Sequence, residues 1–153
     1  MLRTVVGTTT AAVLTAIGGM HVLWTATPWP WHSDSEFRSA VFGSSESTAP
    51  LASYLLMGGA LVGAGALVLS QAGLVPRVGP DRLRGGAMYA LSGGLLLRGV
   101  GGVALNVDAS EEFQQLNTFV YAPLCIGLAA LTYYVQCSSG ADSAVAPRVT
   151  RED

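Results

Sequence analysis

Three residues have side chains suited to proton transfer or anion binding inside otherwise apolar stretches. The imidazole of His21 can act as a general acid or base, and the phenol of Tyr121 can donate a proton. Arg98 lies within the apolar stretch 86–106, where a cation costs about 2.5–3.5 kcal/mol on insertion scales. Because such a cation usually faces a partner, a cavity or a substrate, we take His21, Arg98 and Tyr121 as the candidate catalytic residues.

If the apolar stretches cross a membrane, further polar and aromatic residues should lie at the same depth as His21, Arg98 and Tyr121. They are a tryptophan on the helix face of His21, a tyrosine near the outer end of the second apolar block and an asparagine one turn before Tyr121. Two glutamates in the loops between the apolar stretches would supply a counter-charge to Arg98 if these loops fold over a pocket formed by the candidate residues. The candidate ligand-binding residues are therefore Trp24, Tyr54, Asn117, Glu36 and Glu111.

Each of these side chains also has a purely structural interpretation. The guanidinium of Arg98 can extend to the headgroups or to loop carboxylates, or can hydrogen-bond helix carbonyls and Tyr121. His21 can be a hydrogen-bonded histidine of a helix bundle, while Tyr121 and Asn117 can bond headgroups at the interface. The sequence leaves the structural and the functional interpretations open.

Four apolar blocks must position these residues. Half of the 153 residues are apolar and 12% are charged, against roughly 25% charged in an average soluble domain. The blocks cover residues 4–27, 51–75, 86–106 and 118–136, and each approaches or exceeds the ~20 residues that cross a bilayer. The sequence predicts an all-α fold, a four-transmembrane-helix bundle over residues 1–137, and a disordered cytoplasmic tail over residues 138–153.

Local patterns add detail to this bundle. Ser33 to Glu36 fits a capping box, which predicts a short interfacial helix in the first outer loop. Asp108 with Glu111 indicates another helix start, and Pro123 interrupts the fourth helix. In the third helix, the four-residue series of Ala90, Gly94, Arg98 and Gly102 predicts a face turned towards another helix.

The arginines indicate the orientation. With four spans, Arg38 falls on one side, and all other loop and terminal arginines fall on the opposite side: Arg3, Arg77, Arg82, Arg84, Arg148 and Arg151. The positive-inside rule then predicts a multi-pass protein of the cell (inner or plasma) membrane with both termini in the cytoplasm. A cleaved signal peptide is the competing interpretation, but no small-x-small site leads cleanly out of the first block.

The sequence gives no support for nucleic-acid, metal or cofactor binding. It contains no lysine and no basic run, and no second His, Cys or acid matches the membrane depth of His21. Cys125 and Cys137 lie about 18 Å apart along one helix and cannot form a disulfide. The predicted partners are membrane lipids and a lipophilic small molecule. The Gly59-xxx-Gly63 spacing of the second helix favours packing within the bundle, with a homo-oligomer as the alternative.

Three short motifs resemble a known family. They are His21-Val-Leu-Trp24, Leu97-Arg98-Gly-Val-Gly101 and Tyr121-Ala-Pro123-Leu124-Cys125, and they are similar to the H-x-x-W, L-R-x-x-G and Y-x-P-L-C signatures of the DUF3995 family. The resemblance covers about residues 15–135. It implies a small bacterial membrane protein, of a kind common in actinobacteria, with four spans and no assigned function. Acids often stand in that family where this chain has Gly102 and Asn117, so the resemblance supplies no carboxylate partner for Arg98.

Together these observations predict a small integral membrane protein with an outward-facing polar pocket that binds a lipophilic ligand or partner. The alternative is a membrane enzyme that isomerises or cyclises a lipid-like substrate, with His21 or a loop acid as proton donor and Arg98 holding an oxygen. Transport ranks last, because four short helices leave little room for alternating access.

Overall fold

The chain folds into helices joined by short connections. The computed structural model describes residues 1–104 and 106–145, and it contains no strand within them. The helical segments are α1 (Leu2–Leu23), α2 (Asp34–Phe42), α3 (Leu51–Ala72), α4 (Asp81–Ala104), α5 (Glu111–Leu116), a π-helical turn (Asn117–Tyr121) and α6 (Ala122–Val145). The predicted all-α fold is confirmed.

Three helical segments of the described chain are long and apolar enough to cross a membrane. They are α1, α3 and the continuous helical run Glu111–Ser139 that ends in α6. This supports a membrane protein. α4, with 24 residues, is also long enough to cross a membrane. However, its first turn carries Asp81, Arg82 and Arg84, and its second half carries Arg98. That α4 crosses as a fourth span stays a prediction.

The long helices pack as two pairs. α1 packs against α3 and α4 packs against α6, while α6 also contacts α1 and α3. One residue from each long helix is completely buried in the shared core: Leu14, Met88, Val68 and Val135. α6 therefore joins the two pairs into one bundle.

α1 and α3 approach each other through glycine. A Cβ atom on Gly18 would lie 2.8 Å from the carbonyl oxygen of Gly58, and one on Gly58 would lie 2.9 Å from the carbonyl oxygen of Gly18. The helices thus meet backbone to backbone, as small-residue packing in membranes allows. The packing predicted for the Gly59-xxx-Gly63 pair was wrong, because both glycines face open space; Gly58 and Gly65 make the close approach to α1.

The face of α4 that meets α6 differs from the prediction. Met88 is completely buried, and a Cβ atom on Gly99 would lie 3.0 Å from the carbonyl oxygen of Ala122. Ala90 and Gly94 are exposed. The predicted helix-facing series was therefore wrong for its first two members, because the packed face lies about one residue further along the helix.

Two short helices lie in the connections at one end of the bundle, which we call the capped end. Ser33 caps α2 by accepting a hydrogen bond from the Glu36 amide at 3.3 Å, so a short helix begins where the capping box predicts it. That α2 lies at a membrane interface stays a prediction. The hydroxyl of Ser110, the N-cap of α5, donates to the carbonyl of Ser39 at 2.8 Å, and its amide donates to that of Gly43 at 2.7 Å. These bonds fasten α5 to the end of α2.

The helical run formed by α5, the π-helical turn and α6 begins and ends at other residues than the sequence predicts. α5 begins after Ser110, and Asp108 lies outside it in a left-handed conformation with φ 65°, so the predicted start at Asp108 was wrong. The π-helical turn ends two residues before Pro123, which lacks the amide proton for a regular helical bond to Phe119. α6 continues through residues 138–145, past the boundary predicted at 137, and the remaining tail, 146–153, lies outside the described residues.

Candidate functional site

The capped end holds a continuous group of aromatic rings, which we call the aromatic cluster. Neighbouring ring centroids lie 4.9–6.3 Å apart in tilted or edge-on arrangements, the separations at which aromatic pairs attract each other. Its members come from α1, the first connection, α2 and α3: His21, Trp24, Trp31, Phe37, Phe42 and Tyr54.

Hydrogen bonds fix the two indoles of the cluster. The Trp24 Nε1–H donates to the carbonyl of Trp29 at 2.9 Å, and the Trp31 Nε1–H donates to the Glu112 carboxylate at 3.1 Å. Phe37, at the centre, is 5% exposed. The second indole bond crosses from the first connection to α5, so the cluster is held by both connections of the capped end.

Beside the cluster lies a cavity of about 300 Å³, which we call the aromatic cleft. The rings of Trp24, Phe37 and Tyr54 line it, together with residues 25–28 and the charged side chains of Asp34 and Arg38 from α2. Its volume is at the lower end of small-molecule sites, but its accessible lining is more polar than that of most such sites. The cleft therefore suits a small ligand with a charged or polar head and an apolar group that lies against the rings.

His21 is tied to its own helix. Its Nδ1 lies 2.8 Å from the carbonyl oxygen of Ile17, and because a carbonyl only accepts, that nitrogen carries the proton. The ring packs against Trp24 with a centroid distance of 4.9 Å. This geometry matches a structural histidine that orients the neighbouring indole.

Arg98 belongs to a different group of side chains, the polar network between α4 and the π-helical turn. Its Nη1–H donates to the Asn117 amide oxygen at 3.0 Å. The Asn117 amide nitrogen donates in turn to the carbonyl of Gly102 at 2.5 Å and to the side-chain oxygen of Asn106 at 2.8 Å. Asn117 is completely buried. Since the last four carbonyls of a helix lack an intrahelical donor, Asn117 caps the end of α4 as well as holding Arg98.

The absence of a side chain at Gly102 determines where the guanidinium lies. A Cβ atom at this position would overlap the Arg98 Nη1 and lie 3.2 Å from the Asn117 amide oxygen. Helical side chains normally lean towards the N-terminus of their helix, whereas Arg98 extends over Gly102 towards the C-terminus of α4. The space at Gly102 permits this, and a cation near a helix C-terminus is favoured by the helix dipole.

The other predicted residues are distributed around these two groups. The Tyr121 hydroxyl donates to the carbonyl of Ala40 in α2 at 3.4 Å, so it joins the π-helical turn to the capped end. The Glu36 carboxylate accepts from the His32 amide at 3.0 Å, and Glu111 is exposed in the first turn of α5. The three candidate catalytic side chains thus have three different hydrogen-bond partners.

Sequence reasoning missed the contribution of α2. It placed Trp24 and Tyr54 at the outer end of their helices but did not bring Phe37, Asp34 and Arg38 beside them. The capping box located the helix, and nothing local states how it folds back onto α1 and α3. Within residues 1–104 and 106–145 no three His, Cys, Asp or Glu side chains are grouped as metal ligands would be.

A second polar contact at the opposite end was also missed. The Gln71 side-chain amide donates to that of Gln136 at 2.8 Å, and the Ser139 hydroxyl lies 2.7 Å from the carbonyl of Gln71. Gln71 is 8% exposed, and its own amide oxygen has no hydrogen-bond partner among the described residues. This contact joins α3 to α6 through polar groups.

Comparison with known proteins gives one match. A family model described as a protein of unknown function, DUF3995, matches residues 14–132. The matched stretch contains the aromatic cluster, the aromatic cleft and the polar network. Neither the curated proteins nor the solved structures compared with the chain give a match.

Proposed function

The chain belongs to the DUF3995 family of proteins of unknown function, and we propose that it is a membrane protein that binds a small amphiphile in the aromatic cleft. The observation that supports this most directly is the lining of the cleft. Trp24 and Tyr54 offer ring surface to an apolar group, while most of the accessible lining is polar and includes Arg38 and Asp34, which would hold a polar head. Ligand sites fix the orientation of their ligand through a few such placed polar groups.

The proposal includes a topology. α4 is the fourth span, both termini are cytoplasmic, and the capped end faces outward in the cell membrane. Support comes from the 24-residue length of α4, from its packing against the candidate span α6, and from the excess of arginine at the end opposite Arg38. Trp24, Trp29 and Trp31 all lie at the capped end, as expected of tryptophan at a membrane interface. α2 is then an interfacial helix.

The contacts favour binding over acid–base catalysis. A catalytic proton donor must reach the reacting group at hydrogen-bond distance, directly or through one water molecule. His21 directs its protonated nitrogen at Ile17, Arg98 is held by Asn117, and Tyr121 donates to Ala40. Each candidate catalytic group therefore bonds to a different structural partner, and none of these bonds joins two of the candidate groups.

Tryptophan fluorescence tests the binding site, because the three tryptophans of the chain all lie in or beside the aromatic cluster. Purified protein is titrated with an ω-brominated medium-chain fatty acid, whose bromine quenches indoles on contact. We expect saturable quenching, weakened about tenfold in Arg38→Gln through loss of the charge-assisted bond to the carboxylate. Arg82→Gln, the same change at the opposite end, serves as the matched control. Non-saturable quenching, or equal affinity in both variants, would refute the site.

Cysteine labelling tests the topology separately. Single cysteines replace Ser45, Arg82 and Val107 in a background without Cys125 and Cys137. All three positions are exposed. In intact cells a membrane-impermeant maleimide should label Ser45→Cys and Val107→Cys, and should label Arg82→Cys only after the membrane is opened. Labelling of Arg82 and Val107 from the same side would show that α4 does not cross.

A further inference from the structure

We infer that Arg98 is a phospholipid site: its guanidinium binds the phosphate of a lipid in the leaflet at the capped end, and Asn117 positions it. The site is separate from the aromatic cleft, since it lies between α4 and the π-helical turn. It rests on the proposal that α4 crosses the membrane. A lipid phosphate is favoured over a soluble anion because exposed apolar side chains lie on both elements that form the site.

That surface is apolar and exposed. Arg98 is itself exposed, and Leu97, the residue before it on α4, is 74% exposed. On the π-helical turn that carries its partner, Phe119 and Val120 are 78% and 46% exposed. A cation on such a surface is costly in hydrocarbon unless an anion reaches it. The anion that the headgroup layer of a bilayer supplies is the lipid phosphate.

Among the described residues no acid forms an ion pair with this cation, since the ion pairs there join His32 to Glu36 and Arg84 to Asp81. Glu112, in the first turn of α5, accepts from the Trp31 indole. The positive charge of Arg98 is therefore available to an external anion.

The guanidinium also has the donors that a phosphate requires. It carries five N–H groups in a fixed fork, and one nitrogen donates to Asn117 in the described structure. The others match the bidentate geometry of phosphate oxygens. A flexible surface arginine would lose side-chain conformational entropy on binding. Here the buried Asn117 amide already holds the guanidinium in the space over Gly102, so less entropy is lost.

Two neighbouring glycines give a matched test of this geometry. Gly102→Ala keeps the charge of Arg98, but its methyl group would occupy the position of the guanidinium nitrogen. The overlapping atom is the far end of a flexible side chain, so Arg98 moves aside and the fold survives. Gly101→Ala adds the same methyl one residue earlier, where its closest contact is the Leu97 side chain at 4.0 Å. Only the first variant should disturb the site.

The experiment measures lipid binding to the delipidated full chain in detergent by native mass spectrometry. Phosphatidylglycerol is compared with diacylglycerol of the same acyl chains, with and without excess inorganic phosphate. We expect phosphatidylglycerol to bind at least about tenfold more tightly, as one charge-assisted contact provides. The preference should be lost in Arg98→Gln, reduced in Gly102→Ala and kept in Gly101→Ala.

The other results overturn the inference. A preference that persists in Arg98→Gln would place the phosphate elsewhere, and one that persists in Gly102→Ala would show that the position of the guanidinium is irrelevant. Displacement of the lipid by inorganic phosphate would indicate a free-anion site. Arg38→Gln separates the two proposals, because it should weaken fatty-acid quenching and leave the phosphatidylglycerol preference unchanged.

Discussion

Replacing Asn117 by leucine should destabilise the protein more than any other single change in the polar network. The substitution removes the bonds of Asn117 to Arg98, Gly102 and Asn106. At the roughly 0.6 kcal/mol average of hydrogen bonds within membrane proteins, three bonds total about 2 kcal/mol. The Gly102 carbonyl, left without a donor at the end of α4, can raise the loss in the free energy of unfolding to about 4 kcal/mol.

Thermal unfolding in detergent, followed by circular dichroism, measures this effect. For a chain of this length, a loss of roughly 2–4 kcal/mol corresponds to a fall in Tm of about 4–16 °C. Thr118→Val is the matched control, because Thr118 is the exposed neighbour that accepts one bond from the Asn106 amide at 3.0 Å. It should cost less than about 1 kcal/mol.

Equal Tm values for Asn117→Leu and Thr118→Val would refute the reasoning, since the buried amide would then have no special role. A double-mutant cycle with Arg98→Leu isolates the bond between the two side chains. We expect a coupling of about 0.5–1.7 kcal/mol. Additive effects would mean that Arg98 and Asn117 do not touch in solution.

Three further predictions concern packing, capping and the second polar contact. Gly58→Ala should lower the free energy of unfolding by about 1–3 kcal/mol, because its methyl meets α1, whereas Gly59→Ala faces open space and should be neutral in the same melt. Ser33→Ala should cost about 1 kcal/mol of local stability, detected as faster amide exchange in α2, and unchanged exchange would count against the cap. Gln136→Leu alone should cost about 1–3 kcal/mol, because it leaves Gln71 buried without a partner, whereas adding Gln71→Leu should restore most of the stability; a double variant less stable than the single one would contradict this.

Local sequence was sufficient to predict the long helices and the first short one. Length and hydropathy identify α1, α3 and the run that ends in α6, because crossing a bilayer requires a long apolar stretch whatever the rest of the chain does. Ser33 and Glu36 identify the start of α2, because helix capping involves residues three apart.

Helix faces could not be predicted in the same way. A helix in contact with lipid is apolar on all sides, so the periodicity that marks the buried face of a soluble helix is lost. Gly94 and Gly99 are chemically identical, yet Gly99 lies against α6 and Gly94 is open. Only the tertiary contact distinguishes them.

Depth along the helices placed the candidate site residues in a single outward pocket. In the structure Trp24 and Tyr54 line the aromatic cleft, whereas Arg98 bonds to Asn117 in the separate polar network. Their separation into a cleft and a polar network depends on α2, which brings Phe37 between α1 and α3, and on Ser110, which fastens α5 to α2. Neither contact leaves a local signal in the sequence.

The pairing of the long helices has a consequence for how the chain can be assembled. Each pair is a hairpin of two long helices, with α2 or α5 in its bend. Residues 73–80 are the covalent connection between the two hairpins. The halves hold each other mainly through α6 against α1 and α3. The chain thus consists of two helical hairpins joined by one connection. Two fragments separated within residues 73–80 should therefore associate when they are co-expressed.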